Sequence, residues 1–261
     1  MIHSILLLGQ SNMGGRGYPA DVEPIENEDA SIKVLRCGRW HKAYCPMNAD
    51  RVTSGVNLAE SFAVRYRADH PDVTVGIIGC AAGGTNLDQW RPGLLLYDHA
   101  IAMARLAQRT SNIVAVLWHQ GESDCHPERY PDYERKLLPI LRSFRRDLGL
   151  EDIPFLLGGL GDYLQFHVMK DPAKENVFKN YVHINAALQK VAAEQPHTGF
   201  VSAEGLTSNP DFMHFNAKSL RAFGDRYYDV FRTMEDKNRL WPHKPSQTEL
   251  EKGEEGELAE L

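Results

Sequence analysis

Five short apolar runs, Ile2 to Leu8, Val73 to Ile78, Ile113 to Trp118, Ile153 to Leu157 and Gly199 to Ser202, punctuate the chain, with helical periodicity between them. Runs this short, with many β-branched residues and little polar alternation, suit strands that are covered on both faces. Strands alternating with helices imply a parallel sheet, because a parallel neighbour is reached only through a crossover. The expected fold is α/β: an open three-layer α/β/α sandwich around a central five-stranded parallel sheet. Leu58, Phe62 and Tyr66 mark one helix face, and Leu95, Met103 and Leu106 fall in a second helix. Leu137, Leu141, Phe144 and Leu148 line a third, which Pro139 should kink or split. Val177, Tyr181, Ile184, Leu188 and Val191 repeat at helical spacing, as do Leu220, Phe223, Tyr227, Val230 and Met234. These stripes read as core contacts, not ligand boxes.

At 261 residues, with no linker-like change of composition, the chain fits one domain over 1–236. The polar remainder, 237–261, with Trp241-Pro242 and a Glu-rich end, reads as a poorly ordered tail or a short helix on a partner. A second irregular stretch, 16–56, carries an apparent strand at Ile32 to Leu35 and is expected to shape the rim of a cleft. The net charge of −6 offers no basic surface for nucleic acid. No window reaches the roughly 20 apolar residues that span a bilayer, so no membrane partner is expected. As written, the chain lacks a basic, apolar leader and looks cytoplasmic, or secreted or periplasmic if a leader has been removed. Cys37, Cys45, Cys80 and Cys125 contain no CxxC pair and read as reduced, small buried residues.

In an open parallel sheet, ligands lie beyond the carboxyl ends of the strands. The polar residues gather there. Gly9-Gln10-Ser11-Asn12 follows the first run, Gly79-Cys80-Ala81-Ala82-Gly83-Gly84-Thr85 the second, His119-Gln120-Gly121-Glu122-Ser123-Asp124 the third, and Asp211-Phe212-Met213-His214 the last, after a loop. Alone, Ser11 reads first as a helix N-cap. As a nucleophile it needs an imidazole oriented by a carboxylate, and Asp211-x-x-His214 supplies both from one loop. The chain has eleven histidines, and position at the last strand's carboxyl end sets His214 apart. An oxyanion requires donors: Gly83-Gly84 lets peptide N–H groups come close, with the positive end of the following helix pointing the same way, and Gln120 offers a neutral side-chain N–H. A tight turn capped by Thr85 or Asn86 explains the glycines equally well.

Taken together and in order, Gly9-Gln10-Ser11-Asn12-Met13, Gly83-Gly84-Thr85, Trp118-His119-Gln120-Gly121-Glu122-Ser123-Asp124 and Asp211-x-x-His214 resemble the sialate O-acetylesterase and acetylxylan esterase-like branch of the SGNH (GDSL) hydrolases. The resemblance spans residues 9 to 214. It implies a flavodoxin-like sandwich and a cofactor-free, metal-free hydrolysis of carbohydrate acetyl esters through an acyl-enzyme. By position it assigns Ser11 as nucleophile, His214 as base, Asp211 as its carboxylate partner, and Gly83 or Gly84 with the Ser11 amide as oxyanion donors. Where the wider superfamily has an asparagine this branch has His-Gln-Gly-Glu, so Gln120 is expected as its substitute. Glu122 is expected to support the histidine in place of Asp211 or beside it, with Asp211 ranked first.

His119, Glu122, Asp124 and His126 include residue types that bind zinc or manganese, but they lack the i, i+4 spacing of zinc proteases. Trp90 and Trp118 read as core residues before sugar platforms, and Arg91 as a surface arginine. Two other functions fit the same residues: acyl transfer or lipid or thioester cleavage by the same machinery, and a carbohydrate-binding protein without turnover.

Overall fold

The computed structural model describes residues 1–169, 171 and 173–251. Its centre is a seven-stranded sheet in the order β3-β2-β4-β1-β5-β6-β7. The strands are β1 (Ile2–Gly9), β2 (Ile32–Arg36), β3 (Arg39–Lys42), β4 (Thr74–Gly79), β5 (Ser111–His119), β6 (Phe155–Gly158) and β7 (Thr198–Val201). All pair in parallel except β3, which is antiparallel to β2. The expected five strands therefore become seven. The strand expected at Ile32 to Leu35 is β2, two places from the central β1, whereas β3 is Arg-Trp-His-Lys with largely exposed side chains and carries no apolar pattern. Cys37 and Gly38, both at positive φ (49° and 79°), close the β2–β3 hairpin. That turn leaves Cys37 exposed, contrary to the expectation that it is buried, while Cys80 and Cys125 are buried and all four thiols are free.

The helices are α1 (Ser11–Gly14), α2 (Ala59–Asp69), α3 (Leu95–Gln108), α4 (Tyr133–Leu148), α5 (Tyr181–Glu194) and α6 (Ala217–Met234). One helical layer pairs α2 with α6, and the other runs α3, α4, α5. Between them Ile5, Leu6, Leu7 and Leu8 of β1 are wholly inaccessible. Burial of such side chains contributes about 1.5–3 kcal/mol each.

Two helical expectations change. The buried face of α3 is Tyr97, Ala100, Ile101, Ala104 and Ala107, while Leu95 is 82% exposed and Met103 and Leu106 are half-buried. Small alanines bring this helix close to the sheet and the larger aliphatics flank the contact. Nor does Pro139 split α4, which continues through it. Both Pro139 and Arg135, whose carbonyl loses its helical donor, are exposed residues, where solvent can replace the lost donor. Val177 lies in a 3-10 turn ahead of α5.

β1 is the switch point, because the chain moves to β2–β4 on one side of it and then crosses to β5–β7 on the other. The crevice forms at the carboxyl ends of these strands. At the opposite edge, the described part of the tail lies against the strand starts. Asn112 Nδ2 donates to Pro242 O (3.0 Å), Trp40 N donates to Gln247 Oε1 (3.2 Å), and Arg39 pairs with Glu251 (3.0 Å). The remaining tail residues, 252–261, lie outside the described residues. No helix among the described residues is long and apolar enough to cross a membrane.

Candidate active site

The nucleophile candidate sits where β1 runs out of room. Gly9 has φ +132°, and a Cβ there would lie 2.0 Å from His119 O of β5. Only glycine lets the two strand ends close up in this way. Gln10 N donates to His119 O (2.9 Å) and the chain then turns into α1, whose Met13 and Gly14 amides bond back to Gln10 O. The Ser11 amide, at the first helical position, has no carbonyl a turn behind it. No side chain caps this helix, so the N-cap role open to Ser11 in the sequence is not what it does here.

The His214 loop is held by its own aspartate. Asp211 Oδ1 accepts the amides of Met213 (2.9 Å) and His214 (3.0 Å), and Oδ2 accepts from His214 Nδ1 at 2.6 Å. With Nδ1–H committed to Asp211, Nε2 presents its lone pair to Ser11 Oγ at 3.1 Å. Burial pushes the Asp211 carboxyl up, but bonds from the His214 ring and from the His214 and Met213 amides outweigh it and hold the pKa at about 2. Asp211 is therefore an anion at any pH well above 2. Ser11, Asp211 and His214, expected to converge, form one hydrogen-bonded line.

The donor set differs from expectation at two positions. Gly83 N donates to Asp50 Oδ2 (2.7 Å) and is already spent. Gly84, at φ +78°, lines the cleft beside Ser11 and His214. Gln120 is fully buried, and its Nε2 is engaged by Asp124 Oδ2 (2.6 Å), Thr85 O (3.0 Å) and Gln10 Oε1 (3.2 Å). It therefore braces the loops beneath the cleft. Its neighbour Gln10 does line the cleft. Gln10 Oε1 also faces the amides of Gly121 (3.5 Å) and Ser123 (3.4 Å), which turns the carboxamide so that Nε2 is the end left without a protein partner among the described residues. The helix expected after Gly84 is a single 3-10 turn, Leu87–Trp90, capped by Asn86, so the cleft faces no long helix dipole there.

Asp50 escaped the sequence reading. It takes Arg16 through both oxygens (3.1 and 2.8 Å), Ser54 Oγ (2.9 Å) and Gly83 N, while Arg51 Nη2 donates to Gly83 O (2.9 Å). Gly83 is thus gripped on both sides, at its own N–H and at the carbonyl of the peptide that carries the Gly84 amide. Burial raises the Asp50 carboxyl, but the Arg16 and Gly83 bonds more than offset it and leave it below the usual range. The excursion 16–56 shapes the rim as expected, through Arg16, Arg51 and Thr53. Only a composition rich in Gly, Pro and acids hinted at it.

Glu122 does not touch His214, whose two nitrogens are taken. Its Oε1 accepts from Asn12 Nδ2 and lies 3.7 Å from His119 Nδ1. His119 is fully buried, its Nε2 bonds Gly159 O (3.1 Å), and burial lowers its pKa. Asp124 is held by Gln120 and Leu87 N, and among the described residues no three His, Cys, Asp or Glu side chains group to hold a metal. Trp90 and Trp118 are both inaccessible and meet edge to face in the core, while Arg91 is exposed and donates to Asp88 O. The cleft encloses about 360 Å³. A larger hollow of about 530 Å³ lies at the other edge of the sheet, between β3 and the tail, and holds none of these residues.

The family described as carbohydrate esterase, sialic acid-specific acetylesterase, matches residues 2–233. The chain is 29% identical over 171 residues to a probable carbohydrate esterase of Arabidopsis thaliana; the match covers 58% of this chain and 66% of that protein, a little under two thirds of its length. The solved structure of the Arabidopsis protein has a TM-score of 0.72 at 23% identity, covering 89% of this chain and 98% of that one. The structure of NanS has a TM-score of 0.69 at 18% identity, covering 89% and 97%. At these identities the structures show a shared fold, and the family match covers the strands, α1 and the His214 loop alike.

Proposed function

The chain belongs to the sialic acid-specific acetylesterase family of carbohydrate esterases, and on that premise we propose that it is a serine esterase that hydrolyses O-acetyl esters of carbohydrate through an acyl-enzyme. The observation that carries the reading is the line Asp211 Oδ2, His214, Ser11 Oγ at 2.6 and 3.1 Å, opening into the cleft at the switch point. Ser11 Oγ bonds to the acetyl carbonyl carbon as its proton passes to His214 Nε2. Asp211 stabilises the imidazolium that results. The carbonyl oxygen, now negative, is held by the amides of Ser11 and Gly84 and by Gln10 Nε2. Loss of one such donor typically costs about 3–4 kcal/mol of barrier. Collapse breaks the bond to the sugar oxygen, which takes the proton from Nε2 and leaves as the hydroxyl. Water then attacks the acetyl-serine with His214 again as base, releasing acetate and restoring Ser11.

The test is acetate release from acetylated sialic acid, acetylated xylo-oligosaccharides and a simple aryl acetate, with the wild type compared against Ser11→Ala and His214→Ala. Each variant should lose at least about 10³-fold in kcat on every ester the wild type cleaves. Wild-type rates in either variant would remove the mechanism, and the order of the first two substrates sets the sugar.

A further inference from the structure

Asn12 and Glu122 are 1% and 2% exposed, and the steps above use neither. Resting on the serine-esterase reading, we propose that Asn12, oriented by Glu122, is the positioning residue that sets the His214 imidazole against the Ser11 hydroxyl.

Asn12 follows Ser11 in the four-residue helix α1, so whatever it grips is placed relative to the nucleophile. It grips both peptides that flank His214. Asn12 Nδ2 donates to Met213 O at 3.2 Å, and Asn12 Oδ1 accepts from Phe215 N at 3.0 Å. The rest of the loop is tied largely to itself: Asp211 Oδ1 takes the Met213 and His214 amides, and Asn209 N donates to His214 O at 2.7 Å, so Asn12 is the contact that ties its backbone to the helix carrying Ser11. A carboxamide suits this place because it donates and accepts from one rigid plane. Rotated by half a turn it would set N–H against Phe215 N–H and oxygen against Met213 O.

Glu122 fixes the rotation. Its Oε1 accepts the other Nδ2 hydrogen of Asn12, so the amide nitrogen sits between two acceptors. Glu122 reaches the imidazole only through this amide, since Asp211 and Ser11 occupy both ring nitrogens. Among the described residues its Oε2 and the neighbouring His119 Nδ1, 3.7 Å from Oε1, have no hydrogen-bond partner, so no second hydrogen bond ties the carboxylate elsewhere. Orientation of Asn12 is the contact that accounts for a buried acid at this position.

The experiment compares Asn12→Ala, Glu122→Gln, Glu122→Ala and the Asn12→Ala/Glu122→Ala double variant, by kcat and KM for acetate release and by the rate at which a fluorophosphonate labels Ser11. Thermal melting confirms folding in each. Asn12→Ala should cut kcat on the order of 100-fold, with KM near the wild type, because a misplaced base slows chemistry and not binding. Glu122→Ala should fall similarly, and the double variant should be no slower than Asn12→Ala, since the two act in series. Glu122→Gln, whose amide oxygen still accepts from Nδ2, should stay within about tenfold of the wild type.

Losses that multiply in the double variant, or Glu122→Gln as slow as Glu122→Ala, would show that the Glu122 charge acts on the imidazole directly and would overturn the relay. Should Asn12→Ala not fold, the contrast between Gln and Ala at 122 decides by itself. Wild-type protein inert to the fluorophosphonate overturns the esterase reading and the relay together. Labelling that is brisk in the wild type and equally brisk in Asn12→Ala overturns the relay alone.

Discussion

Asp211 does two things with one carboxylate: one oxygen ties down the loop amides and the other selects the imidazole tautomer. Asparagine in its place can keep the first role but sets N–H against Nδ1, favouring the tautomer that points a hydrogen at Ser11. Asp211→Asn should therefore lower kcat by about 10³–10⁴ with little change in KM; steady-state kinetics showing less than a tenfold loss would mean the ring is oriented by something else. Protonation cannot substitute for this test, because Asp211 stays ionised down to about pH 2. Which residues converge was legible in the sequence: Ser11, Asp211 and His214 lie at strand ends where the topology collects polar groups. Which N–H groups are already spent was not. Gln120 and Gly83 have the right chemistry for an oxyanion donor, but Asp124 and Asp50 claim them: Asp50 is 33 residues from Gly83 and leaves no local pattern, while Asp124 is only four residues from Gln120 in a turn whose side-chain directions the sequence does not write. Asn12 is harder still, since its carbonyl partner is 201 residues distant.

At the scale of elements, the apolar runs foretold the inner strands because burial on both faces writes itself into composition. β3 was invisible because an edge strand with charged, exposed side chains has no such need. The α3 stripe misled for a related reason: close packing selected alanines, which a search for bulky residues passes over. The excursion 16–56 matters through one clamp, Asp50 between Arg16 and the loop that ends β4. Asp50→Asn keeps the volume but sets an N–H against either Arg16 or Gly83. The freed peptide should let the Gly84 amide drift, and kcat should fall by about 10–100-fold, measured well below the melting temperature so that lost stability does not contribute. Unchanged kcat in a folded variant would mean that Gly84 is placed by its own turn.

Across the whole molecule, the two edges of the sheet have different work. The carboxyl edge holds the cleft, while the amino edge is sealed by side chains from distant segments. There His3 of β1 is 5% exposed, bonds Tyr66 OH of α2 at 2.7 Å and meets Trp241 of the tail at 5.3 Å between rings. Tyr66 stacks on His70, and His70 pairs with Glu235 just past α6. Burial, with help from the charge of His70, lowers the His3 pKa from 6.5 to about 4. A base depressed in the folded state stays neutral there, so between those two values the unfolded chain binds a proton that the folded chain refuses. His3 therefore makes no demand on stability above pH 6.5, and stability falls as the pH drops towards 4, by up to ~3 kcal/mol for a shift of this size. His3→Phe keeps a ring in the seal and removes the titration. It should be less stable than the wild type at pH 7, where Tyr66 loses its partner, and that deficit should shrink or reverse at pH 5 in urea unfolding. Parallel pH profiles for the two proteins would mean that the His3 pocket opens to water and leaves the imidazole free to protonate.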